Sequence, residues 1–197
     1  MLTGKKIVLG VSGGIAAYKM ANVASMLSKL HADIHVVMTE NATHFITPET
    51  FEVLTGNHCY TDTFDRCMEL HVPHIALGTQ ADAILIAPAS ADVVGKIANG
   101  IADDMLTTCV LPATCPVMLA PSMNVHMYEN PIVQDNMKRL ASYGYEIIEA
   151  DEGYLACRDI GKGKLPPEHV LVDYIIRACA MDKDLAGKKV LVTAGAT

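Results

Sequence analysis

The stretch Pro121-Ser122-Met123-Asn124-Val125-His126-Met127-Tyr128 places a carboxamide and two thioethers directly after the short apolar run 116–120. A proline-bounded apolar run reads as a buried strand, and the carboxyl ends of such strands are where open α/β sheets bind ligands. Asn124 is thereby delivered to a ligand crevice, or else caps the following helix. Gly10-Val11-Ser12-Gly13-Gly14-Ile15 follows another apolar run, where backbone amides and a helix dipole make an anion site with Ser12 as a further donor. It lacks the G-x-G-x-x-G spacing of a dinucleotide fingerprint, and a tight turn without a ligand is the other reading. Thr39 or Asn41 could contact a cofactor or cap a helix, and Ser90 in Ala87-Pro88-Ala89-Ser90-Ala91-Asp92 carries the same two readings. His74 follows Pro73 in a polar loop; an imidazole suits proton transfer near neutrality, although a lone histidine also fits a structural or exposed place.

Residues 153–167 show no apolar periodicity and are expected to form a lid loop hinged at Gly153, Gly161 and Gly163. Cys157 lies within it, near Arg158, Lys162 and Lys164, whose charges favour a thiolate; the plainer reading is a mobile basic loop with an incidental cysteine.

The elements that must position these residues follow from the apolar pattern. Strands are expected at 5–10, 33–38, 83–87, 117–120 and 145–148, with helices at 15–30, 131–143 and 167–180. Val23, Met26, Leu27 and Leu30 form one helical stripe, as do Val133, Met137, Leu140 and Ala141, and Leu171, Tyr174, Ile175 and Ala178. Repeated βα units require right-handed crossovers and a parallel sheet covered on both faces, so the expected fold is a doubly wound α/β domain of Rossmann or flavodoxin-like type over residues 1–180. Residues 181–187 read as a polar linker. Residues 188–197 echo the opening strand and glycine turn, and are expected to be the truncated start of a second domain.

With 197 residues, 51% of them hydrophobic, the chain can bury a substantial core. A net charge of −7 argues against a nucleic-acid or membrane-surface binder, which needs a basic face, so any anion must be held locally. Six cysteines without a C-x-x-C pair or a charged-then-apolar leader fit a reduced, cytoplasmic protein. The eight histidines show no metal-binding spacing, and no apolar run approaches the ~20 residues that cross a bilayer.

Taken in order, residues 10–19, His74, residues 88–92, residues 121–128 and Leu155-Ala156-Cys157-Arg158-Asp159-Ile160-Gly161-Lys162-Gly163-Lys164-Leu165 resemble the flavin-containing cysteine decarboxylases, most closely the phosphopantothenoylcysteine decarboxylase branch of coenzyme A biosynthesis. Residues 188–197 resemble the opening of the synthetase domain often fused behind it. The resemblance implies bound FMN, contacted by Gly10, Ser12, Gly13, Gly14, Thr39, Ser90 and Asp92, in a homotrimer that often assembles further into a dodecamer. It makes His74 the catalytic histidine, Asn124 the ligand of the substrate carboxylate, and Cys157 the proton donor on a substrate-covering flap. Met127, Ala156, Lys162 and Lys164 complete the implied substrate site. Asp92 stands where the family often has asparagine, Tyr128 where some members have tryptophan, and Arg158 where glycine commonly follows the cysteine.

The implied chemistry has a clear physical demand. Loss of CO2 from an N-acylated cysteine leaves an unstabilised carbanion, and the blocked amine prevents formation of an imine. A flavin supplies an electron sink by oxidising the thiol to a thioaldehyde and reducing the enethiolate after CO2 departs. Two other readings share parts of the pattern: a peptidyl-cysteine flavin decarboxylase, and a non-catalytic flavin-binding regulatory subunit. A flavodoxin-like electron carrier would not need the cysteine segment.

Overall fold

Branched aliphatic residues fill Ile7–Leu9 and Ala83–Leu85 almost without interruption, as expected of strands buried on both faces. In the computed structural model, which describes residues 1–64, 72–154, 156, 159–180, 187–193 and 195, they become β1 (Lys6–Val11) and β4 (Ala83–Ala89). These pair parallel with each other at the centre of a six-stranded sheet. The other members are β2 (Asp33–Met38), β3 (Cys59–Tyr60), β5 (Val117–Pro121) and β6 (Glu146–Ile147). The order is β3-β2-β1-β4-β5-β6 and every pairing is parallel. A two-stranded antiparallel hairpin, β7 (Asp151–Tyr154) and β8 (Ile160–Lys164), stands apart from this sheet.

Helices cover both faces, so the chain is the doubly wound α/β fold that the alternating pattern predicts. On one face α1 (Lys19–Lys29), α2 (Pro48–Thr55) and α8 (Glu168–Cys179) contribute Leu27, Phe51 and Leu171 to a core with Leu9 and Leu85. On the other, α3 (Pro73–Gln80), α4 (Ala91–Ala98), α5 (Met105–Val110) and α7 (Pro131–Ser142) bring Leu77, Val94, Leu106 and Leu140 against Val8 and Ile86. The short α6 (Val125–Glu129) follows β5. Strand order reverses between β1 and β4, which opens a crevice outside their carboxyl ends.

Several local expectations change. The helix expected at 15–30 begins as a 3₁₀ turn, Ile15–Tyr18, before α1, and its stripe is Met20, Val23, Ala24 and Leu27, with Met26 and Leu30 only partly buried. Ala141 of α7 is exposed rather than on the packed face. His74 lies in the first turn of α3, not in a loop. Much of 153–167 is the β7–β8 hairpin rather than a structureless lid. Residues 187–193 carry no regular element, so the strand expected there is not seen among the described residues. The expected linker falls largely on 181–186, outside the described residues.

Candidate active site

A cleft of about 630 Å³ opens at the strand reversal, within the size range of small-molecule sites. Three strand ends and the hairpin supply its walls. After β1 come Gly13, Gly14, Ile15, Ala16, Tyr18 and Lys19; after β4, Ser90 and Ala91; after β5, Ser122, Met123, Asn124 and Met127; from the hairpin, Tyr154, Ala156, Gly163 and Lys164. Leu165 completes the lining. Among the described lining residues there are two lysines and no carboxylate, although the whole chain is acidic.

The glycine turn is held shut by packing. A Cβ on Gly13 would lie 2.6 Å from the Asn41 Cβ and 3.1 Å from its carbonyl carbon, so only glycine lets the two loops touch. Gly14 meets nothing closer than Pro88, at 3.9 Å, which leaves bare backbone at the cleft wall. Among the described residues the Gly13, Gly14 and Ile15 amides donate to no protein acceptor. Free amides leading into a helix suit a phosphate.

Ser12 is fully buried and acts as a staple between strands. Its hydroxyl donates to the Pro88 carbonyl at 2.7 Å and accepts from the Ser90 amide at 2.9 Å, so its proton is committed to the protein rather than to a ligand. Ser90 lines the cleft and also caps α4, its Oγ accepting from the Val93 amide at 3.4 Å. Both readings of that serine therefore hold at once. Thr39 caps the 3₁₀ turn Glu40–His44 by accepting from the Ala42 amide, and does not line the cleft. Gly10 also lies away from it: a Cβ there would strike Leu106 at 2.6 Å and Ile86 at 3.2 Å inside the core. Asp92 points to Lys96 at 3.4 Å, where Asp103 and Asp104 also gather. The Asp103 hydrogen bond and the neighbouring charges outweigh burial and hold the Lys96 ammonium above the ordinary lysine range.

Asn124 combines the two roles that its sequence position left open. It is the N-cap of α6, its Oδ1 accepting from the His126 amide at 2.9 Å, while its Nδ2 donates to Asp159 Oδ2 at 2.8 Å beside the cleft. The cap fixes which end of the carboxamide carries the donors. Met127 and Ala156 line the same wall. Gly161 and Gly163 are a docking face rather than hinges. A Cβ on Gly161 would lie 2.6 Å from Val125 Cγ2, and one on Gly163 would lie 2.3 Å from the Met123 carbonyl oxygen. Met123 N donates to Gly163 O at 3.0 Å, which seats β8 on the Asn124 turn.

The structure separates the remaining sequence-predicted residues. Lys164 lines the cleft, whereas Lys162 faces a neighbouring groove and pairs with Glu149. That hydrogen bond and charge raise the lysine and lower the carboxyl from their usual ranges. His74 does not line the cleft of its own chain, and its buried Nδ1 finds no hydrogen-bond partner among the described residues. Helix α3 is held tightly to α5, because Gly78 leaves no room for a Cβ beside the Cys109 carbonyl oxygen, at 2.4 Å. Cys157 and Arg158 lie outside the described residues. Cys59 and Cys109 are different in kind: burial pushes their thiols up to about 12, aided at Cys59 by Glu52 and Glu49 and at Cys109 by Cys115, so neither is a poised nucleophile. Lys19 and Tyr154 also line the cleft, and the place of Lys19 one turn past the glycine turn is its signal in the sequence.

The Flavoprotein family model matches residues 1–180. The chain belongs to the flavoprotein family. Other members extend the match beyond the profile: the coenzyme A biosynthesis bifunctional protein CoaBC of Bacillus subtilis is 47% identical over 199 residues, covering 100% of this chain and 49% of that protein. The Haemophilus influenzae protein of the same name is 40% identical, with 100% and 49% covered. The chain thus spans about half the length of the curated relatives it matches. Among solved flavoprotein structures, the FMN-dependent cysteine decarboxylase SpaF superposes with a TM-score of 0.80 at 34% identity, covering 92% of this chain and 100% of its own. A PPC decarboxylase variant complexed with pantothenoylaminoethenethiol gives 0.78 at 29% identity, covering 87% and 96%.

Proposed function

We propose that the chain is an FMN-dependent carboxy-lyase that converts 4'-phospho-N-pantothenoylcysteine to 4'-phosphopantetheine in coenzyme A biosynthesis. The observation that carries the reading is Asn124, a carboxamide with a fixed orientation at the wall of a flavoprotein cleft, in a chain similar along its whole length to CoaBC proteins. The cleft fits the cofactor: the unpartnered amides of Gly13, Gly14 and Ile15 would hold a phosphate, and Ser90 and Met123 would border the ring system. FMN, when bound, supplies the electron sink that an N-acylated cysteine lacks.

The chain's own residues then divide the work. Asn124 holds the substrate carboxylate by neutral N–H donors; a cation there would stabilise the carboxylate more than the transition state and oppose CO2 release. Met127, Ala156 and Lys164 border the same end of the cleft, and Cys157, between β7 and β8 in the sequence, delivers the final proton. His74 assists at the substrate thiol. Because it does not line its own cleft, it serves a neighbouring chain in a homotrimer, in keeping with its unpartnered Nδ1 and the exposed apolar Val72 and Ile75 beside it. Residues 1–180 form the decarboxylase, 181–187 a linker, and 188–197 the start of a fused synthetase domain, working in the cytoplasm.

The test is a visible spectrum of the FMN-reconstituted protein under anaerobic conditions, followed by CO2 measurement after substrate addition. Bound flavin and CO2 with phosphopantetheine as product are expected; failure to bind flavin overturns the reading. The similarity to SpaF, an FMN-dependent cysteine decarboxylase, favours one second reading, decarboxylation of a different cysteine substrate, for which we propose the carboxy-terminal cysteine of a peptide. CO2 from such a peptide and none from the phosphorylated small substrate would decide for it.

A further inference from the structure

Three consecutive residues after β5 each meet the hairpin strand β8 or Asp159 just before it. The Met123 amide donates to Gly163 O at 3.0 Å, Asn124 Nδ2 donates to Asp159 Oδ2 at 2.8 Å, and the Val125 side chain fills the space beside Gly161. The middle contact differs from its neighbours because it brings a carboxylate to the very group proposed to hold the substrate's carboxylate. We infer that Asp159 is a positioning residue that holds the Asn124 amide and stands a fixed negative charge beside the departing carboxylate. This inference rests on the decarboxylase reading above.

Two acceptors on one NH2 group lie about 5 Å apart, given N–H···O distances near ~2.9 Å. Asp159 and a bound substrate carboxylate therefore repel one another in a half-buried place, while carbon dioxide leaves without charge. The repulsion weakens along the reaction, so it raises the bound acid more than the transition state. Gly163 and Met123 already seat the strand without help from Asp159. A charge at this position has a consequence that mere docking of the hairpin lacks: the protein should discriminate against the carboxylated ligand relative to the decarboxylated one.

Asp159→Asn separates the two roles, since it keeps an acceptor of the same length and removes the charge. With FMN-loaded protein, calorimetry would compare the serine analogue of the substrate, which carries the carboxylate but no thiol, with phosphopantetheine, which has lost it. The substitution is expected to tighten the serine analogue at least fivefold without shifting phosphopantetheine, and to lower kcat for CO2 release at least tenfold while KM falls. Equal shifts for both ligands, or none, would overturn the inference. So would full activity in Asp159→Asn alongside loss in Asp159→Ala, which would reduce Asp159 to a hydrogen-bond acceptor. If the wild-type protein bound neither ligand and released no CO2, the decarboxylase reading itself would fall, and this one with it.

Discussion

The glycine-turn side of the cleft and its hairpin side are built on opposite terms. On the sheet side, Ser12, Pro88 and Ser90 are joined by buried hydrogen bonds, and Gly13 is locked against Asn41 by contact closer than any Cβ would allow. On the hairpin side, β7 and β8 belong to no core cluster, Tyr154 and Ile160 are 64% and 76% exposed, and the strand is seated on the Asn124 turn by one backbone hydrogen bond and the side chains of Asn124 and Val125. The first region inherits the stability of the sheet. The second can open while the sheet stays intact, because local opening costs only the few contacts it breaks. A cofactor needs the former and a substrate that must enter and leave needs the latter.

The largest expected effect strikes where the two regions meet. Asn124→Asp keeps a good helix cap but sets a charge against the substrate carboxylate. At ~4 Å and an effective dielectric near 20, like charges repel by about 4 kcal/mol, which weakens capture of the carboxylated substrate by roughly a thousandfold. Isotopic CO2 assays at subsaturating substrate should show that loss, and the new charge facing Asp159 should loosen the hairpin as well; near-normal capture would remove Asn124 from the clamp. Ser12→Ala probes the sheet side. It leaves the Ser90 amide without its acceptor and the Pro88 carbonyl with only the Ser12 amide, at 3.4 Å, and should cost about 1–3 kcal/mol, lowering the calorimetric midpoint by several degrees. An unchanged midpoint would mean that this side is no more tightly built than the hairpin.

Gly163→Ala tests the hairpin side and should have the smallest effect on global stability. A Cβ would collide with the Met123 carbonyl at a backbone φ of +135°, so the hairpin loses its seat while the core does not. Hydrogen exchange at 160–164 should accelerate about tenfold, with β1 and β4 amides unaffected. Acceleration across both regions would show that they unfold as one unit and erase the contrast.

The same contrast governs how much was legible in the sequence. β1, β2, β4, β5, α1, α7 and α8 could be read because each buries an apolar face whose spacing states its geometry. The hairpin buries almost nothing, so its strands carry no apolar alternation. Its signal is the spacing of Gly161 and Gly163, two residues apart on one strand face, which marks close backbone approach rather than the hinges expected at Gly153, Gly161 and Gly163. β3 has two residues and α3 eight with little apolar bias, too short for periodicity to speak. At the site, Gly13, Gly14, Ser90, Asn124, Met127, Ala156 and Lys164 were anticipated and do line the cleft. Gly10, Ser12, Thr39 and Asp92 flank the same strand ends but serve packing, stapling, capping and an ion cluster. Sequence locates a loop at the sheet edge; only the backbone's course decides which side chains turn toward the opening.

Lys19 and Lys164, with no carboxylate among the described lining residues and Asp159 engaged by Asn124, make the cleft mouth a positive aperture in a molecule of net charge −7. An anion approaching from afar is repelled by the whole and drawn in only over the last Debye length, about 8 Å at physiological salt. Added salt relieves the distant repulsion and weakens the local pull together. The rate of anion capture should therefore depend only shallowly on ionic strength, and the mouth works as a gate that favours ligands able to present their charge end-on.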